Sequence, residues 1–173
     1  MRTTIFRKRD NTMLVEYPYG KNYLFTALEA GPELLETMIE GLTAEEADLR
    51  PESERFTIRE AVAHLADWEP IFLGRMKRIC AEDRPKLVSI DEGQLAIDNE
   101  YDKTDPQLEL KRFREGRQTL IAFLREREDS DWRRIGDHFI GELSLEAMAF
   151  LPAIHDAYHL KQINDYRKIA KKG

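Results

Sequence analysis

The sequence holds one cysteine, two tryptophans, four histidines and no long apolar run in 173 residues. A single cysteine, Cys80, excludes an internal disulfide and a cysteine-rich zinc module, and fits a reducing compartment. The longest unbroken apolar stretch, Ala147 to Ile154, contains Pro152. It falls well short of the roughly 20 residues a membrane-spanning helix needs. The N-terminus turns charged within a few residues and lacks a signal-peptide core. Positive charge is also in deficit, with 27 Lys and Arg against 33 Asp and Glu. A general nucleic-acid binder leans the other way. The Arg-rich Lys111 to Arg127 stretch is interleaved with Glu115 and Glu126, so it reads as a solvated face. The expectation is a cytoplasmic chain without membrane or nucleic-acid partners, forming one domain over residues 1–173 with an N-terminal extension over 1–20.

Four long segments have helical spacing. The first runs from about Lys21 to Gly41, and Gly31-Pro32 makes it two helices or one kinked helix. Thr43 and Glu46 then frame a short helix over Thr43 to Leu49. The second long segment starts at a capping box, Thr57-Ile58-Arg59-Glu60. Its stripe of Ile58, Ala61, Leu65, Trp68, Phe72, Met76 and Ile79 ends before Arg84-Pro85. Residues 86–104 read as loop with one short helix. Asp105 and Pro106 open the third long helix, with Leu108, Phe113, Gly116 or Arg117, Leu120, Phe123 and Leu124 inward. Residues 132–143 read as a connection. Ser144 caps the fourth helix, which runs to about Lys171. Only Thr12 to Tyr19 is a candidate strand. Long amphipathic helices in a small chain bury their stripes against each other, so the fold class is all-α, a four-helix bundle with long connections.

Three of the four histidines fall on those stripes. His155 and His159 are four apart, one above the other on one helix face. His64 sits among Ala61, Leu65 and Trp68 on the inward stripe of the second helix. Three neutral imidazoles in an apolar interior need partners for their ring nitrogens, and one divalent ion could satisfy all three. Nitrogen ligands without carboxylate suit zinc, nickel or iron rather than calcium or magnesium. Three protein ligands also leave coordination positions open, as catalytic sites do. The plain alternative is a set of satisfied core histidines. The motif is not of the zincin type, because Asp156 stands where that pattern has Glu.

The stretch Phe56 to Asp67, with its histidine at 64, and the stretch Gly141 to Leu145 followed by His155-Asp156-Ala157-Tyr158-His159-Leu160-Lys161-Gln162-Ile163 resemble the DinB/YfiT-like family of metal-dependent enzymes. The likeness extends from about Leu28 to Arg167, with Phe56 where the family usually has Trp. It implies a four-helix bundle with a histidine triad from the second and fourth helices, and often a homodimer. Among relatives of known chemistry it implies thiol-dependent transferases and a thiol-dependent isomerase. The expected function is thus a metal-dependent transferase, or a metal-dependent hydrolase. In the transferase reading a low-molecular-weight thiol is ionised by the cation and attacks an electrophilic carbon of a small-molecule substrate. The alternative is a non-catalytic dimeric module with a structural or vestigial site. Glu60, Asp67 and Gln162 are candidates to support the ligands. Glu60 also reads as a cap and Asp67 as a solvated helix face. Tyr158 is a candidate proton or hydrogen-bond donor. His138 reads as a loop residue, Cys80 as a small filler roughly 24 Å along the helix from His64. Trp68 and Phe72 read as core or pocket lining.

Overall fold

A computed structural model describes residues 12–171; residues 1–11 and 172–173 lie outside the described residues. Seven α-helices span Met13–Glu16 (α1), Gly20–Ile39 (α2), Ala44–Asp48 (α3), Ile58–Ala81 (α4), Glu92–Asp98 (α5), Pro106–Arg125 (α6) and Leu145–Ala170 (α7). Three short strands cover Lys86–Leu87 (β1), Ile135–His138 (β2) and Gly141–Ser144 (β3).

The four long helices α2, α4, α6 and α7 form the bundle. Helix α4 packs on α6 and α7, and α2 packs on the same two. Helices α2 and α4, consecutive among the long helices, therefore sit diagonally, and the connections between them have to cross the bundle. The starts of α4, α6 and α7 are fixed by side chains named in the sequence. Thr57 Oγ1 accepts from Glu60 N at 3.2 Å and Glu60 Oε2 accepts from Thr57 N at 2.7 Å. Asp105 caps α6 with Pro106 in the first turn, and Ser144 Oγ accepts from Ala147 N. Such caps satisfy amides that otherwise lack partners.

The fold departs from the all-α expectation in one place. A small sheet, in the order β1-β2-β3, occupies residues expected to be plain connection. Strand β1 pairs parallel to β2, and β2 pairs antiparallel to β3 from Ile135 opposite Ser144 to His138 opposite Gly141. Strands of two and four residues are too short to write a period-two pattern. What holds them is tertiary. Arg134 donates to the Ile79 and Glu82 carbonyls at the end of α4, and Arg78 donates to the Lys86 carbonyl. Gly136 rests where a Cβ would lie 2.9 Å from Ile79 Cγ1, and Gly141 turns the hairpin at φ +122°. The candidate strand Thr12 to Tyr19 is instead helical at α1. Glu146 of α7 accepts from the Met13 and Leu14 amides at 2.9 and 3.1 Å, so a distant carboxylate caps this turn.

Helix α2 runs unbroken through Pro32. Helix α6 turns Phe113, Arg117, Leu120 and Leu124 inward as expected, but Leu108 is exposed, and Leu110 and Ile121 are buried with the stripe. The apolar interior divides into two clusters. One gathers Leu24, Leu28, Phe72, Met76, Leu120, Trp132 and Met148; the other gathers Leu35, Ile39, Val62, Leu65, Phe113 and Ile163. Buried polar side chains, His64 and Glu69 of α4, Arg117 of α6 and Asp156 and His159 of α7, form a middle zone between these clusters.

Candidate metal centre

Two polar layers occupy that middle zone. The first is an ion cluster. Arg117 of α6 is 1 % exposed and uses all five of its N–H groups. Nε and Nη2 donate to the two Glu69 oxygens at 3.0 and 2.7 Å. Nη1 and Nη2 donate to the two Asp156 oxygens at 2.6 and 3.0 Å, and Nη1 also reaches the Leu28 carbonyl at 2.8 Å. One guanidinium thus ties α2, α4, α6 and α7 together. Burial pushes both carboxyls above the usual carboxylate range, and Arg117 pulls them back. Glycines make the room: a Cβ on Gly31 would lie 2.2 Å from Asp156 Oδ2, and one on Gly116 would lie 2.6 Å from Glu69 Cβ. The stripe analysis named Arg117 only as a possible inward position and did not identify the cluster. A charged residue on an apolar stripe, facing Asp and Glu on neighbouring stripes, was the available signal.

The second layer is the histidine cluster. His64, from α4, and His155 and His159, one turn apart on α7, each offer a ring nitrogen, and these atoms lie within 4.8 Å of one another. His64 Nε2 and His155 Nε2 are 2.9 Å apart. Two nitrogens held about 2.1 Å from one ion at the tetrahedral angle stand about 3.4 Å apart, so this pair is close enough to share one ion after a small separation of the rings. His64 and His159 are buried and His155 is partly so. Aromatic rings enclose them: Phe56, Trp68 and Tyr101 around His64, Trp68 and Phe72 against His155. Trp68 and Phe72 belong to the core cluster as well.

This wall keeps the imidazoles neutral. Burial is the main cause for all three. It depresses His64 to about 2, with the charges of His159 and His155 adding to it. His155 falls to about 3, helped by His159 and Arg117. His159 falls only to about 4, because its bond to Gln162 opposes burial. Neutral nitrogen lone pairs are what a divalent ion requires.

Of the expected supporting residues, only Gln162 touches a histidine. Its Oε1 lies 3.1 Å from His159 Nδ1, and its Nε2 donates to the Phe56 carbonyl at 2.6 Å. A carbonyl only accepts, so the Gln162 amino group must face Phe56. Its oxygen then accepts from His159 Nδ1–H, which leaves the Nε2 lone pair free. Glu60 instead caps α4, and its two carboxylate oxygens accept from Arg50 Nη2 at 2.6 and 2.8 Å. Asp67 is not on a solvated face: it is buried, accepting from Asn99 Nδ2 and Arg112 Nη2 at 2.6 Å each. Tyr158 is exposed, with its ring 5.0 Å from that of His159. His138 lies in β2, buried, with its Nε2 unpartnered. Cys80 is partly buried against the core.

The described residues fit a divalent ion: three neutral imidazoles converge, one of them held in the correct tautomer. His64 Nδ1, buried without a partner, is the least supported ligand position. The cluster is also reachable. A cavity of about 490 Å3 has His155, His159 and Gln162 on its floor, with Phe56 and Tyr158 beside them. Its rim is formed by Glu54 and Arg55 before α4 and by Glu92 and Gly93 at the start of α5. Sequence reasoning found none of these four rim residues. They sit on connections that carry no periodicity, so no local signal marked them.

Among solved structures the chain is similar to YfiT from Bacillus subtilis, described as a probable metal-dependent hydrolase with an unusual four-helix bundle topology. The TM-score is 0.80 at 22 % identity, over 98 % of this chain and 93 % of that one. A search of curated proteins gave no match. No helix among the described residues is long and apolar enough to cross a membrane. The DinB superfamily profile matches residues 27–163, which include all three histidines and both flanks of the cavity. The chain is a member of the DinB superfamily.

Proposed function

We propose that the chain is a metal-dependent enzyme that activates a low-molecular-weight thiol for transfer to an electrophilic small molecule. The observation that carries this reading is a neutral three-nitrogen cluster at the floor of an open cavity, with no carboxylate among the described residues hydrogen-bonded to any of the three imidazoles. A divalent ion held by His64, His155 and His159 would supply positive charge and open coordination positions, which lower the pKa of a bound thiol into the neutral range. Gln162 holds His159 with its free lone pair toward the cavity. Phe56, Trp68 and Phe72 pack against the imidazoles and lower the polarity on their inner side, which strengthens charge interactions there. In the transfer the thiol gives its proton to solvent, sulfur bonds to the electrophilic carbon, and the leaving group departs with the bonding pair. Small-molecule chemistry in a homodimer belongs to the same reading.

Hydrolysis is the second reading. It is favoured by the description given to YfiT and by Glu92 on the cavity rim, whose carboxyl burial raises above its usual range and so suits a proton acceptor. A purely structural module is disfavoured by a cavity that opens onto two of the three histidines.

The test has two steps. Elemental analysis of purified protein is expected to give close to one equivalent of metal, absent from His64→Ala and His159→Ala. The loaded protein is then offered small thiols with alkyl halides or epoxides, and separately carboxylic and phosphoric esters. Thiol-dependent loss of the electrophile supports the transferase. Ester cleavage without thiol replaces it with the hydrolase, and metal retained by both variants rejects the site.

A further inference from the structure

Among the described residues the cavity rim carries one cation, Arg55, and its placement is built rather than incidental. Arg50 Nη1 donates to the Arg55 carbonyl at 2.7 Å while its Nη2 grips Glu60, so the backbone at Arg55 is fixed to the N-terminus of α4. The Arg55 guanidinium lies over the Tyr158 ring at 5.2 Å, and that ring stands 5.0 Å from His159. Stacking on one face leaves the in-plane N–H groups available. Among the described residues only Nη1 is committed, to Glu52 Oε1 at 3.2 Å, and that carboxylate is itself more than half exposed. Arg117, by contrast, has no N–H left over. Arg55 is thus a held guanidinium with most of its donors unspent, on the wall of a cavity whose floor is the histidine cluster.

We propose that Arg55 is the carboxylate anchor of this cavity and selects a ligand that carries one carboxylate together with the group that reaches the histidines. This rests on the reading of the cavity as a metal-dependent substrate site. A planar guanidinium matches a carboxylate edge with two parallel hydrogen bonds. Glu54 and Glu92 stand on the same rim. They repel a second negative charge, so the class is a monocarboxylate rather than a phosphoryl dianion.

The test uses the cobalt-loaded protein, whose visible spectrum reports any ligand entering the metal's coordination sphere. Two pairs of probes are titrated: 3-mercaptopropionate against 3-mercaptopropanol, and succinic monohydroxamate against propionohydroxamate. The member with the carboxylate is expected to bind about tenfold tighter in each pair, the scale of one charge-assisted contact. Arg55→Gln is expected to shrink that preference to less than about threefold, with Arg55→Lys between the two. The uncharged members are expected to bind Arg55→Gln as they bind the parent, which a general disturbance of the site would not allow. Equal affinity within both pairs, a preference that survives in Arg55→Gln, or a phosphonate analogue that binds tighter than the carboxylate overturns the proposal. Hydroxamates that perturb the spectrum while thiols do not would strike the thiol reading alone, and the hydroxamate pair would still decide Arg55. A spectrum that no probe perturbs removes both.

Discussion

Asp156 and His155 are chain neighbours on α7, yet they enter two buried polar layers of opposite character. Around Arg117 every donor is used, both carboxylates are bound at both oxygens, and glycines have been cleared to let the groups approach. Around His64, His155 and His159 two ring nitrogens face each other, a third points to their common space, and His64 Nδ1 has no partner. The first layer is complete without any further group; the second is not. A protein that can satisfy one buried cluster fully and leaves its neighbour unsatisfied has kept the second for a ligand. Polarity in a bundle core therefore does not mark a functional site. Incomplete satisfaction beside a cavity does.

The largest expected effect comes from opening the closed layer. Arg117→Met leaves Glu69 and Asp156 buried without their cation. Removing one partner of a buried ion cluster costs about 3–5 kcal/mol. Chemical denaturation is expected to show that loss, or no folded protein at all. The triple variant Arg117→Met, Glu69→Leu, Asp156→Leu is expected to recover most of it, because an apolar set of similar volume needs no compensation. Recovery together with intact metal content would show that the two layers are energetically separate. A triple variant that folds but binds no metal would show that the ion cluster also positions α7 for the histidines.

The next effect comes from acid, and it acts on the open layer. Each histidine is held below its ordinary value of 6.5 in the fold. The unfolded chain takes up protons below that pH while the folded chain refuses them. Metal-free protein is therefore expected to keep its stability above about pH 7 and to lose it as pH falls from there toward 4. Glu69 and Asp156 act in the opposite sense, since their raised carboxyls accept protons more readily in the fold than in the unfolded chain. The comparison that isolates the histidines is the pH profile of Tm for metal-free wild type and His64→Phe. The variant is expected to have the flatter acid limb. Parallel profiles would mean that His64 titrates freely in the fold.

Much of this contrast could be read from sequence. The caps at Thr57, Asp105 and Ser144 and the spacing of His155 and His159 are local signals, and they placed α4, α6, α7 and the three imidazoles correctly. The β2–β3 hairpin could not be read, because what anchors it is distant in sequence: Arg134 donates to the Ile79 and Glu82 carbonyls at the end of α4, and Gly136 packs against Ile79. Helix α1 carries no local signal for the same reason, since its cap is Glu146, more than a hundred residues away. The cavity rim was invisible because Arg55 and Glu92 owe their places to connections whose course only the fold sets. Asp67 shows the converse: a charged residue on a helix read as solvated, but Asn99 and Arg112 come from other elements to cover it.

A smaller effect is expected at Gln162, the one satisfied contact in the open layer. Gln162→Leu keeps the volume but removes the acceptor that fixes the His159 tautomer. Loss of such a support typically lowers metal affinity about 10–100-fold. Competition with a chromophoric chelator measures it. Gln162→Glu is expected to retain affinity at His159 while losing the Phe56 bond, so the two variants separate tautomer control from anchoring. Equal affinities for wild type and Gln162→Leu would leave His159 positioned by packing alone.

The smallest effect is expected at Tyr158, which touches both the ring of His159 and the guanidinium of Arg55. Its hydroxyl plays no part in either contact, so Tyr158→Phe is expected to change neither metal affinity nor carboxylate preference by more than about twofold, the ring face being nearly as good a cation partner. Tyr158→Ala removes the face itself. An exposed cation–π contact contributes about 0.5–1 kcal/mol, which corresponds to about two- to fivefold in the carboxylate preference. Metal affinity is expected to stay put in that variant, because His159 is held by Gln162 and not by Tyr158. A Tyr158→Phe protein that binds metal and carboxylate normally but has lost turnover would instead give the hydroxyl a proton to move. That outcome would shift Tyr158 from the rim that chooses the ligand to the group that reacts with it.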